Sequence, residues 1–156
     1  MIKETNTTNF RQSLGKLGED MAEDFLVSSA WTIEARNFYA HRLGEIDIIA
    51  RPPSGQVLAF VEVKTRQVSA FARGLDHPGQ QSVHGGKQKR IRQAALSYVS
   101  ACGERATFAS ILRFDLILVD VELNYRDLKE IVRLQDACAL RPHCLLTHLK
   151  DIMGTF

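Results

Sequence analysis

Two extended stretches, GEIDIIAR at 44–51 and VLAFVEVKTR at 57–66, constrain this chain more than any other feature. Both are rich in β-branched residues and alternate with period two. Between them stands the turn cluster Pro52-Pro53-Ser54-Gly55, so the segment predicts a β-hairpin. Alternation along VEVKT sets Glu62 and Lys64 on one face about 7 Å apart, with Val61 and Val63 on the other. If residues 51–56 form the loop, symmetric pairing sets Asp47 opposite Phe60. Glu62 is then its diagonal neighbour, about 7–8 Å away between backbones.

Around the hairpin the pattern switches to helical spacing. From Phe10 to Ser29, Leu14, Leu17, Met21, Phe25 and Leu26 recur at steps of three and four, with Gly18 and Ala22 in the same arc and Glu19 and Glu23 at its edge. Trp31 to Ala35 and then Phe38-Tyr39 read as a strand interrupted at Asn37. Residues 67–86 are Gly-rich and aperiodic, and are expected to form a mobile loop. Lys87 to Ala101 returns to helical spacing, and RFDLILVDV at 113–121 is a continuous apolar run of the buried-strand kind. Lys129 to Leu134 reads as a short last strand, and the tail as a short helix after Pro142. The expected organisation is a disordered tail at 1–9, one α/β domain at 10–135 and a C-terminal extension at 136–156.

At 156 residues, 45% hydrophobic and 24% charged, the chain has the composition of one folded domain able to bury a core without disulfides or structural metal. The three cysteines form no Cys-x-x-Cys pair, and Cys138, His143, Cys144 and His148 have no zinc spacing. No signal-peptide apolar region or membrane-length apolar run is present, which points to the cytoplasm. The net charge of +2 is unevenly spread. From Lys64 to Arg92 seven Lys or Arg face one acid, Asp76, giving +6 and leaving −4 for the remainder.

Asp47, Glu62 and Lys64 have two readings: a cross-strand ion-pair network on a surface, or a site. Two converging carboxylates suit a hard divalent cation such as Mg²⁺, which polarises a phosphodiester and lowers the pKa of a bound water. Lys64 beside them can orient the nucleophile or stabilise charge on the phosphoryl group. Glu19 from the helix edge adds a third acid or is simply solvated. Gln88 offers a hydrogen bond to nucleophile or phosphate, or is an ordinary first-turn polar residue. Lys87, Lys89, Arg90 and Arg92, with Arg66, make either a solvated face or a phosphate-contacting one. Their place at a helix start after Gly85-Gly86 favours phosphate. A P-loop is excluded, because Gln88 stands where Ser or Thr is needed.

Asp47, then Glu62-x-Lys64 across a hairpin, resembles the PD-(D/E)xK nuclease superfamily. The succession LGKLGEDMAEDFL, RNFYAHRLGEIDIIAR, FVEVKTR, GGKQKRIRQAALSYV and RFDLILVDV, over about residues 10–135, resembles the bacterial YraN-like family of predicted endonucleases, related to Holliday-junction resolvases. Ile46 stands where the superfamily name has Pro. The resemblance implies a restriction-endonuclease-like core, a mixed central sheet flanked by helices. It makes Asp47 and Glu62 metal ligands, Lys64 the catalytic lysine, Glu19 the helix-borne acid and Gln88 the helix-borne auxiliary. The expected activity is Mg²⁺- or Mn²⁺-dependent cleavage of DNA, branched or otherwise structured. A two-fold homodimer would suit cleavage of paired strands. The alternative is a nucleic-acid-binding module that keeps the fold without hydrolysis.

Overall fold

A computed structural model describes residues 3–68, 85–103 and 111–154, with side chains described from Asn9 and, in the second stretch, from Gln88. The element order is α1 (Lys3–Ser28), β1 (Thr32–Tyr39), β2 (Glu45–Arg51), β3 (Val57–Gln67), α2 (Gly85–Cys102), β4 (Ile111–Val121), α3 (Tyr125–Leu134), α4 (Ala137–Leu140) and β5 (Cys144–Leu149). The strands form one five-stranded sheet in the order β1-β2-β3-β4-β5. β3 and β4 pair in parallel along their whole length, Val57↔Ile111 to Gln67↔Val121, and the other three pairings are antiparallel. The protein is therefore an α/β protein with a mixed sheet flanked by helices.

Each face of the sheet buries its own core. On one side Leu14, Leu17, Met21 and Leu26 of α1 pack with Leu128 and Val132 of α3 over Ile48, Ala59, Val61, Val63, Ile117 and Val119. On the other, Ala94, Ala95 and Tyr98 of α2 cover Ile49, Leu58, Phe60 and Phe114. The stripes read from helical spacing are thus the buried ones. Gly18 lets α1 approach β3 closely: a Cβ there would lie 1.7 Å from Thr65 Oγ1 and 2.9 Å from Thr65 Cβ.

Several expectations need correction. The hairpin register differs by two residues from the symmetric one: Ile49, not Asp47, faces Phe60, and Ala50 faces Ala59. The prolines explain this. Pro52 has no N–H to extend the ladder, and Pro52 to Gly55 forms a turn closed by the Gly55 N–H on the Pro52 carbonyl at 2.9 Å, with Gly55 at φ +70°. Val57 and Leu58 then pair with β4 instead of β2. Lys129 to Leu134 belongs to helix α3, because Asn124 caps it by accepting the Asp127 N–H at 3.0 Å and Leu128 and Val132 form a buried i, i+4 pair. The tail is not helical after Pro142. A 3-10 turn at Arg141–His143 leads into β5, which pairs with the otherwise open edge of β4. Helix α1 begins at Lys3, ahead of Phe10. The expected loop lies largely outside the described residues, which omit 69–84.

Candidate functional site

The chemistry-bearing residues meet where β2 begins and β3 ends. The β2–β3 ladder runs Ala50↔Ala59, Ile49↔Phe60, Ile48↔Val61, and carrying it one step further sets Asp47 across from Glu62. The acids are therefore direct neighbours rather than diagonal ones. There the strands part, and the Val63 N–H donates to Asp47 Oδ2 at 2.7 Å. The same point marks a break in alternation: Ile48 packs under α1, whereas Ile46, two residues away, packs on the α2 side. The twist turns Asp47 sideways, toward β3.

The partner strand breaks in step. Asn37 lies between the pairs Arg36↔Ile48 and Phe38↔Ile46, so it stands across from Asp47, and its φ is +47°. Regular β backbone would send Arg36 and Asn37 to opposite faces. Here both reach α1: Arg36 contacts Glu23 at 2.6 Å and Asp20 at 2.7 Å, and Asn37 Nδ2 donates to Glu19 Oε2 at 3.0 Å. Asn is among the few residue types that tolerate this left-handed conformation. Arg36 Nη2 also stands 3.9 Å from Glu19. The Arg36-Asn37 pair therefore fixes the helix-borne acid that sequence reasoning singled out, and neither residue was among the candidates. The interruption of β1 at Asn37 was the available signal.

Lys64 Nζ donates to Glu62 Oε1 at 2.5 Å, with the Glu62 side chain mostly buried. The Asp47 carboxyl is pushed up to about 7, first by burial and then by the negative charge of Glu62, with Glu19 adding to it. The Val63 N–H and Lys64 pull the other way without cancelling these effects. Asp47 and Glu62 thus act on each other as a carboxylate pair. Its donors are hard carboxylate oxygens, which fit a hard divalent cation. Among the described residues, however, no three His, Cys, Asp or Glu side chains gather closely enough to hold a metal ion. Asp47 and Glu62 are brought together, while Glu19 is turned to Arg36 and Asn37.

Helix α2 begins over the Glu62 face, since Glu62 and Ile91 line one small cleft with Ile46, Phe60, Ile152 and Met153. Gln88 is half-buried in the first turn of α2, and Lys89, Arg90 and Arg92 are exposed. The Lys87 side chain lies outside the described ones. Two expected phosphate contacts have intramolecular partners. Arg66 grips Asp120 of β4 through Nε at 2.5 Å and Nη2 at 3.2 Å, and Arg92 Nη2 donates to the Met153 carbonyl at 2.9 Å. Asp115, its side chain fully buried, receives Arg113 through two bonds of 2.8 Å, His148 Nε2 at 2.9 Å and the Asp151 N–H at 3.0 Å. It is a closed structural network on the α1 side of the sheet.

The fold and this end of the sheet define a mixed-sheet α/β protein with a carboxylate pair and an adjoining lysine on its central hairpin. Residues 18–119 match the model of a family described as "Uncharacterised protein family UPF0102". Proteins named "UPF0102 protein" are 40% identical over 111 residues in Desulfosudis oleivorans, covering 71% of this chain and 81% of that relative. The relative from Clostridium tetani is 33% identical over 132 residues, covering 85% of this chain and 98% of its own length. The chain belongs to the UPF0102 family, the YraN-like family to which its motif order pointed.

Proposed function

We propose that this protein is a divalent-metal-dependent endonuclease with a restriction-endonuclease-like core that hydrolyses phosphodiester bonds in DNA. The observation that carries this reading is the half-buried Asp47 beside Glu62, its carboxyl raised to about 7 first by desolvation and then by the negative charge of Glu62, with Lys64 alongside. A surface ion-pair network has no need of two half-buried acids facing each other at a strand junction. Asp47 and Glu62 would hold Mg²⁺ or Mn²⁺, which when bound supplies Lewis-acid polarisation of the phosphodiester and a water of lowered pKa. Lys64 exchanges its bond to Glu62 for the attacking water or a phosphoryl oxygen, and so orients the nucleophile or stabilises developing charge. Gln88, in the first turn of α2, hydrogen-bonds the same phosphate. Lys87, Lys89 and Arg90 hold the flanking backbone, which positions the strand without reading its sequence.

One observation favours a second reading, a nucleic-acid-binding module without hydrolysis: no three ligating side chains gather among the described residues. Titrating Mg²⁺ and Mn²⁺ into the wild type and Asp47→Asn by calorimetry, with a labelled four-way junction, a duplex and a single strand in the same buffers, separates the two. Metal uptake and cleavage that both disappear in the variant are expected. Salt-sensitive binding with neither uptake nor cleavage would leave the binding module standing.

A further inference from the structure

Tyr39 ends β1 and is 67% exposed, more than any other large apolar side chain among the described residues. Its ring meets that of His41, with centroids 6.2 Å apart at 64°. The turn that follows is anchored from beneath. Ala40 is buried, Leu43 packs on the α2-side core, and the Ala40 N–H to Gly44 carbonyl and Leu43 N–H to Ala40 carbonyl bonds are each 2.9 Å. His41 at φ +47° and Gly44 at φ +107° complete the reversal. Tyr39, His41 and Arg42 are thus all exposed on a braced base.

Their position relative to the acids follows from the register. Tyr39 pairs with Glu45, two residues along β2 from Asp47, a step of about 7 Å. Phe38 packs on the α2 side, so alternation places Tyr39 on the α1 side, where Asn37 holds Glu19. A solvated aromatic ring against His41, with Arg42 exposed in the same turn, therefore stands at the same end of the sheet as Asp47 and on the side of Glu19, around the strand ends from the face that Glu62 shares with α2. Nothing in the fold requires an aromatic there, because the turn is held by Ala40 and Leu43.

We propose that Tyr39, with His41 and Arg42, forms a subsite for an unpaired nucleobase next to the scissile phosphate, the base stacking on the Tyr39 ring and Arg42 contacting the adjoining phosphate. Stacking on an exposed ring is tolerant of base identity but needs a free base face, which a continuous duplex does not offer. The subsite therefore selects single-stranded, frayed or branched DNA. This inference rests on the nucleic-acid reading of the neighbouring site.

The test is fluorescence anisotropy in metal-free buffer, where cleavage does not interfere, with one labelled oligonucleotide as single strand and as duplex. The proteins are the wild type, Tyr39→Ala, Tyr39→Phe and the Lys89→Ala/Arg90→Ala double variant. Tyr39→Ala is expected to weaken single-strand binding about tenfold with little effect on the duplex, and Tyr39→Phe to stay within about twofold of wild type. The double variant weakens both. Single-strand binding unchanged in Tyr39→Ala while the double variant loses affinity would overturn the subsite alone. So would a Tyr39→Phe loss as large as that of Tyr39→Ala. A wild type that binds neither strand overturns the subsite together with the nucleic-acid reading.

Discussion

Gly18 lies against Thr65 so closely that a Cβ would fall 1.7 Å from the hydroxyl oxygen and 2.9 Å from Thr65 Cβ, which no side-chain rotation moves. The contact presses α1 onto β3 one residue from Glu19 and one from Lys64. Gly18→Ala should therefore cost about 1–3 kcal/mol by forcing the helix off the sheet. Thermal melts read the loss. Gly15→Ala is the control, since nothing lies within 4 Å of a Cβ there, and it should not lower stability.

Asn37 combines a backbone role and a side-chain role that two substitutions can separate. Asn37→Gly keeps access to φ +47° and loses the amide on Glu19, whereas Asn37→Ala loses both. The alanine variant should be less stable than the glycine variant by about 1 kcal/mol in a denaturant titration. Both should bind Mn²⁺ more weakly than wild type if Glu19 assists the acid pair. A glycine variant less stable than the alanine one would refute the backbone role.

The Asp47 carboxyl sits at about 7 against an ordinary 3.8. Between those values the folded state holds a proton that the unfolded chain has released, so stability falls as pH rises through the window and levels off above about 7. Asp47→Asn has no charge to bury. In the presence of a chelator it should be more stable than wild type at pH 8, by roughly 1–3 kcal/mol, and near parity at pH 4. Melting temperatures across that range check it. A variant gaining stability while losing metal uptake would mark Asp47 as a residue kept for function.

Asp115 behaves oppositely. His148, Arg113 and the Asp151 N–H together hold its carboxyl below the ordinary aspartate value despite burial. Its contribution is present above the unfolded-state pKa and disappears as pH falls through the depressed folded value. Asp115→Asn leaves Arg113 facing no charge and should cost about 3–5 kcal/mol at neutral pH. Its acid limb of the stability curve should be correspondingly flatter than wild type.

The exposed α2 cations and the paired Arg66 should separate in salt dependence. Lys89→Ala and Arg90→Ala are each expected to lower the slope of log affinity against log salt by about one, for nucleic acid of any sequence. Arg66→Ala should change the slope by less, since Arg66 is committed to Asp120. Binding isotherms at several salt concentrations decide this.

How much of this can be read from the residues alone follows a physical division. Period-two alternation located β2 and β3 and brought Asp47 and Glu62 to the same end of the hairpin, although alternation itself breaks at Asp47. The register itself depended on what Pro52 and Pro53 do to the end of a ladder, which alternation does not encode. The bond between Arg66 and Asp120 needed to be known as a parallel pairing across α2, a long-range fact. Helix α3 was misread because its short apolar pattern fits either period, and only the Asn124 cap decides between them. Glu19 was found on its helix edge. Arg36 and Asn37, which hold it, became visible only once the left-handed residue had folded both side chains to the same side.

The sheet is assembled from two kinds of connection. β1, β2 and β3 are sequential antiparallel neighbours, whereas β4 lies parallel to β3 and is reached only across α2. Asp47 and Glu62 therefore reside in a meander that closes through nearby contacts, and Lys89, Arg90 and Arg92 reside in the crossover. A lineage can lengthen, recharge or re-aim the crossover without disturbing the geometry of the acids. The charge carried by α2 is consequently free to change at a different rate from the acid pair within the same sheet.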